Sequence, residues 1–205
     1  MRKNLMRNSV IAGAIAAVGA ASILSGAGEA SALPNGFKSS TGIDGQKVTI
    51  KRTGERSRIM PSVANNGAGR AAAVSGTYKA TLSKGTGHMT VGYLVGCQVD
   101  ITGLQGGLSG SIGLAGGSLS GSVSVPLTPG QVAFINSDAM SIKKGKATLM
   151  VDNFYINVEQ CGGYASARSV VRVMAAEGMS TDDDQLSGDS GFVQTTLYGA
   201  PFSLG

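Results

Sequence analysis

The 205-residue chain has no tryptophan, a single histidine and two cysteines, and only 14% of its residues are charged. Each shortage excludes something. One histidine and two cysteines fall short of the four ligands a structural zinc site takes. His88 has no Ser–Asp arrangement beside it that would make it a catalytic base. The carboxylates are few and mostly in loops, so no acid–base pair stands out, and the glycine-rich "GGLSGSIG" lacks the Gly-Lys-Ser/Thr end of a phosphate loop. An enzyme is therefore not expected, nor is any cofactor. The net charge of +5 is mild, and no Lys/Arg cluster interleaves with stacking aromatics, which argues against nucleic acid as a partner. Asp182-Asp183-Asp184 lacks the ligand spacing of a calcium loop and reads as a solvated turn. The largest absence is local: no Asp, Glu, Lys or Arg lies between Asp100 and Asp138.

The beginning of the chain reads as an export signal. Arg2, Lys3 and Arg7 precede an apolar run over residues 10–24, and "GEASA" then ends in Ala30-Ser31-Ala32. A basic head, an apolar middle and an A-x-A exit make a secretory signal over residues 1–32, cleaved after Ala32. The apolar run is short for an uncleaved anchor. Three basic residues and Glu29 leave with the signal, so the net charge falls from +5 to +3. Residues 33–205 suffice for one domain with a real core. They hold no run of ~20 apolar residues and hence no transmembrane helix. Such an exported chain is either soluble outside the cell or part of a β-barrel. In an oxidising compartment an even cysteine count favours a Cys97–Cys161 bridge, two buried thiols being the alternative.

The pattern along the chain is β. Residues 47–52 ("KVTIKR") and 76–82 ("GTYKATL") alternate with period two. Residues 88–101, 147–161, 167–175 and 192–199 are further strands, rich in Val, Ile, Thr and Tyr. Gly92 and Gly96 mark bends or bulges, and Asp152-Asn153 marks a break. Asn66-Gly67, Lys84-Gly85, Pro129-Gly130, Lys144-Gly145 and Gly162-Gly163 are turn signals. Residues 52–70 read as irregular, with room for a short helical turn, and 180–191 as a polar loop. Short strands with regular turns predict an all-β, sandwich-like domain.

The uncharged stretch is rich in glycine and serine, which ordinarily means a flexible linker. Its residues nevertheless alternate. Leu104, Leu108, Ile112 and Leu114 fall on one side, with glycines between them, and Gln105, Ser109 and Ser111 on the other. After Gly116-Gly117, Leu119, Val123 and Val125 take one side, and Ser118, Ser120, Ser122 and Ser124 the other. Successive side chains of a strand point to opposite faces, and a barrel strand crosses a membrane in ~9–11 residues. The two arms therefore read as a transmembrane hairpin over residues 104–126, its apolar face toward lipid and its serine face toward water. Alternation of this kind also occurs in soluble sheets. A single hairpin in lipid leaves its edges unpaired, so further copies of the chain would have to close the barrel under cyclic symmetry.

Several blocks resemble the MspA family of porins from mycobacteria and related mycolate-bearing bacteria. They are "GIDGQKVTI" (42–50), "GYLVGCQVDI" (92–101), "VPLTPGQV" (125–132), "CGGYASARS" (161–169) and "TTLYGAPFSLG" (195–205). They run in order over almost all of residues 33–205, and the last two are the most specific. The resemblance implies a goblet-shaped homo-octamer in an outer membrane of mycolate type. Residues 33–103 and 127–205 would form a β-sandwich rim, and each subunit would lend one hairpin to a shared barrel. At about 16 strands such a barrel leaves an aqueous channel for small hydrophilic solutes and ions. The family's best-known porin carries aspartates near the hairpin tip, whereas this chain reads "SIGLAGGSLS" there. The pore lining would be Gln105, Ser109, Ser111, Ser118, Ser120, Ser122 and Ser124, and without a charged ring its ion selectivity is expected to be weak. The competing expectation is a secreted, soluble β-sandwich that binds a partner or sits in the cell envelope and forms no pore.

Overall fold

The computed structural model describes residues 30–65, 67–98, 122–124, 132–178, 180–182, 185–187 and 191–205. Within these, every regular element is a strand: β1 (Ser31–Ala32), β2 (Gly36–Thr41), β3 (Lys47–Met60), β4 (Arg70–Leu82), β5 (Thr86–Cys97), β6 (Ser122–Ser124), β7 (Val132–Ile142), β8 (Lys146–Val158), β9 (Ala165–Ala176), β10 (Ser180–Asp182), β11 (Gln185–Ser187), β12 (Val193–Tyr198) and β13 (Phe202–Ser203). One sheet has the order β1-β3-β4-β8-β6, with β2 also on β3. The other has the order β12-β9-β5-β7, with β13 also on β9. All pairs are antiparallel except β6 with β8.

The period-two pattern explains the sandwich. Val48 and Ile50 of β3, Leu149 and Ile156 of β8, Met89 and Val91 of β5, and Val171 and Val173 of β9 are all buried, forming one core between the sheets. Their neighbours Lys47, Lys51, Lys79 and Thr148 face outward. At ~25 cal/mol for each Å² of apolar surface removed from water, this burial is the main force holding the sheets together.

Two expectations are corrected. Residues 52–70 are mostly strand: β3 continues to Met60, a turn follows, and no helix occurs among the described residues. Residues 180–191 hold a short hairpin in which β10 pairs with β11. The expected irregularities at Gly92 and Asp152-Asn153 are present. The β5–β7 register slips between Val91 and Gly92, leaving Ser137 outside the ladder so that its hydroxyl donates to Val91 O at 3.0 Å. The β4–β8 register slips at Ser75, opposite Asp152 and Asn153, and Asn153 has φ of 49°. A residue added at one strand bends it there.

The sandwich has two ends. The turns at Gly45, Gly85 and Gly145, all with positive φ, sit at one end. The other end, here the base, is where β3, β5 and β8 finish and β4, β7 and β9 begin.

Candidate pore segment and the clamp at its root

The uncharged segment departs from and returns to a single place. Gly96, near the end of β5, is the antiparallel partner of Val132, the first residue of β7. Both strands reach the base side by side. Pore-lining candidates Gln105, Ser109, Ser111, Ser118 and Ser120 lie outside the described residues, as do Leu104, Leu108, Ile112, Leu114, Leu119 and Val125. Ser122, Val123 and Ser124 form β6, which runs parallel to β8 with Ser122 opposite Tyr155, Val123 opposite Ile156 and Ser124 opposite Asn157.

The departure point is clamped. Cys97 and Cys161 form a disulfide with a Cα–Cα distance of 5.9 Å, across a sequence separation of 64. The next residue, Gln98, donates its backbone N–H to Tyr164 O at 2.9 Å. Both cysteines are buried in the core, so the bridge ties the last paired residue of β5 to the connection between β8 and β9. In the chain-entropy picture a cross-link over a loop of this length stabilises by about 4 kcal/mol.

Above the root lies a polar group that the sequence pattern does not announce. Arg52 and Glu55, both buried, form an ion pair with Nε and Oε2 2.9 Å apart. In a regular strand, residues three apart face opposite sides. Here the register slips between Thr53 and Arg56, and Gly54 adopts φ of 63°, so both side chains turn inward. The Tyr78 hydroxyl donates to Glu55 Oε1 at 3.1 Å and lies 3.1 Å from the Tyr93 hydroxyl, linking the two sheets. Arg52 also donates to Pro34 O at 2.8 Å and to Ser169 Oγ at 3.4 Å. The Tyr93 ring stacks on Phe154 at 5.6 Å and meets Phe202 edge-on. Burial, then the neighbouring Tyr93 and Glu55, push the Tyr78 phenol well above its ordinary value. Burial raises Tyr93 too, against a lowering by its hydrogen bond with Tyr78.

The two most specific sequence blocks meet around this group. Gly199 N–H donates to Ser169 O at 2.8 Å, and Arg168 Nε donates to Gly199 O at 3.1 Å. A Cβ at Gly199 would lie 2.2 Å from Ser169 Oγ and 2.8 Å from an Arg52 nitrogen, so any larger residue there must displace both side chains. The motif spacing thus has a physical reason: "TTLYG" and "SARS" close over the buried arginine.

His88 stands in β5 between Ser141 of β7 and Met174 of β9. Among the described residues no cluster of three or more His, Cys, Asp or Glu could hold a metal. The MspA family model matches residues 44–203, which include the clamp, the buried ion pair, the 161–169 block and all but the last two residues of the 195–205 block. No curated protein matches the chain.

Proposed function

Since the chain belongs to the MspA family, we propose that it is an outer-membrane porin. In this reading several copies, eight by family resemblance, each lend the segment over residues 104–126 to one transmembrane barrel. Small hydrophilic solutes and ions then diffuse passively along the serine-lined interior. A signal over residues 1–32 directs export, and its cleavage after Ala32 takes away the two-residue β1, leaving β2 as the partner of β3 on that edge. No step of chemistry is involved, and the protein is not an enzyme.

The observation that carries the reading is the geometry of the root. β5 and β7 are already an antiparallel pair, and Gly96 opposite Val132 delivers both ends of the uncharged segment to the base together. A hairpin extending from that pair continues its own register. The disulfide and the Gln98–Tyr164 bond hold the departing strand rigid where load from the membrane arrives. Absence of charge over the whole segment suits a face in hydrocarbon, where Lys or Arg at mid-depth costs ~2–4 kcal/mol.

The isolated chain keeps Ser122–Ser124 on the edge of β8, running toward the base. An ascending barrel arm runs the opposite way. Assembly therefore exchanges this three-residue pairing for pairing with a neighbouring copy's arm, which also removes the open barrel edge.

The test is planar-bilayer recording of detergent-extracted protein beside a Leu108→Asp/Ile112→Asp variant. Stepwise conductance in the parent, lost in the variant while the rim keeps its thermal midpoint, is the expected result. Silence from well-folded parent protein would return the chain to the soluble, envelope-binding reading.

A further inference from the structure

Barrel proteins sit in membranes with aromatic girdles at the lipid–water boundary, and the sequence offers no aromatic close to the hairpin. The nearest are Tyr93, buried in the core, and Phe134, under the Arg172 guanidinium. The fold supplies one from elsewhere. Tyr164, far from Gln98 in sequence, is bonded to it through the backbone. Its side chain is 58% exposed. At the same end of the sandwich are Ile59, Val63 and Val132, exposed by 47%, 73% and 64%. Ile59 and Tyr164 both line a pocket of about 400 Å³, whose other walls include Met60, Pro61 and Leu204.

Two charged groups at this end are engaged with the backbone and with Asn157, while Arg58, next to Ile59 on β3, is exposed. Arg70 donates to Gly67 O and Gly69 O at 3.0 and 2.9 Å. Glu159 Oε1 accepts from Ala64 N and Asn157 Nδ2 at 3.1 and 2.9 Å. The opposite end also exposes apolar side chains, Ile43 and Phe192, but sets them among exposed Lys143 and Lys144, the Lys84–Glu177 pair and Asp44, whose Oδ2 accepts from Gly191 N at 2.6 Å. What sets the base apart is its place: its exposed apolar side chains and Tyr164 stand where the proposed membrane segment departs.

We propose that Tyr164, with Ile59, Val63 and Val132, forms an interfacial collar that seats the rim in the headgroup region of the membrane. The occupant of this surface is lipid at the headgroup–acyl boundary. There an amphipathic ring such as tyrosine's keeps its apolar body in the acyl region and its hydroxyl in water. The collar rests on the porin reading, and it adds the depth to which the barrel is sunk.

The chain has no tryptophan, so a single substitution creates a clean reporter. Tyr164→Trp, Leu108→Trp and Tyr198→Trp are each made in the full chain and reconstituted into phosphatidylcholine vesicles carrying a quencher on either the shallow or the deep acyl carbons. Tyr198 lies on the outer face of the β9–β12 sheet, opposite Val170 and about 17 Å above the base at ~3.4 Å per residue. The indole at position 164 is expected to be quenched mainly by the shallow probe, the indole at 108 mainly by the deep probe, and the indole at 198 by neither. Quenching at 108 with none at 164 overturns the collar and leaves the porin reading intact. Quenching at 164 with none at 108 sinks the transmembrane hairpin but keeps the lipid contact. Quenching at neither overturns both. Val63→Trp repeats the measurement on the neighbouring turn and guards against a local effect at position 164.

Discussion

The rim and the uncharged segment use the same alternation for different surroundings. In the rim, Val48, Ile50, Val91 and Val173 meet a second sheet of the same chain, while Lys47, Lys51 and Lys79 face water. Over residues 104–125 the partition is Leu, Ile and Val against Ser and Gln, with glycine on both sides and no charge on either. The rim brings its own apolar partner. In the porin reading proposed above, the segment meets lipid and neighbouring copies instead. Alternation shows that two faces differ; charge and bulk show what each face meets. The rim tolerates an ion pair inside because Tyr78, Ser169 and Pro34 surround it with hydrogen-bonding partners. A lipid-facing strand has no such partners to offer.

The sharpest way to break the comparison is to remove half of that ion pair. Arg52→Met leaves Glu55 buried without its cation, which costs about 3–5 kcal/mol. Arg52→Met/Glu55→Leu removes both charges and should recover more than half of the loss, because the pair's attraction largely offsets its own desolvation. Urea unfolding of the two variants and the parent measures this. A single substitution costing below about 1 kcal/mol, far under the range for a broken buried pair, would mean that water reaches it.

The clamp comes next, since it joins the two regions. Cys97→Ser/Cys161→Ser should lose roughly 2–4 kcal/mol of rim stability. Stepwise channels, if the porin reading holds, should become rarer rather than smaller, because the barrel interior is untouched. Non-reducing mass spectrometry of the exported parent must find the bridge. Free, alkylatable thiols there would refute the role assigned to it.

How much of this was legible follows the same logic. The expected strands 47–52, 76–82 and 167–175 lie within β3, β4 and β9, and 88–101, 147–161 and 192–199 overlap β5, β8 and β12, because the inward residues there are apolar. The second half of β3 was not legible, because its inward positions are Arg52, Glu55 and Ser57 and a bulge shifts the period between them. Buried polar groups look like a loop when only hydropathy is read. β7 escaped notice for another reason. It is an edge strand, and among its eleven residues only Ile135 and Ile142 are buried. The disulfide was legible from cysteine number and the export signal. The meeting of Gln98 with Tyr164 was not, since it depends on β5 and β9 lying side by side.

The smallest effect expected is also the most selective for the rim. Tyr78 and Tyr93 are both held protonated above the ordinary phenol range, chiefly by burial. In the unfolded chain they titrate near pH ~10. Above that pH the unfolded state has released these protons and the folded state still holds them, so folding stability falls as pH rises. Their contribution is fully present below about pH 10. Each such group steepens the fall by up to ~1.4 kcal/mol per pH unit. Tyr78→Phe removes one of the two. At neutral pH it costs about 1 kcal/mol, from the lost hydrogen bond to Glu55. Between about pH 10 and 11 its stability should decline less steeply than the parent's, by one proton's worth. Urea midpoints taken across that interval decide the matter. Parallel declines for parent and variant would mean that Tyr78 releases its proton alike in the folded and the unfolded chain, and so is not held protonated by its burial beside Tyr93 and Glu55.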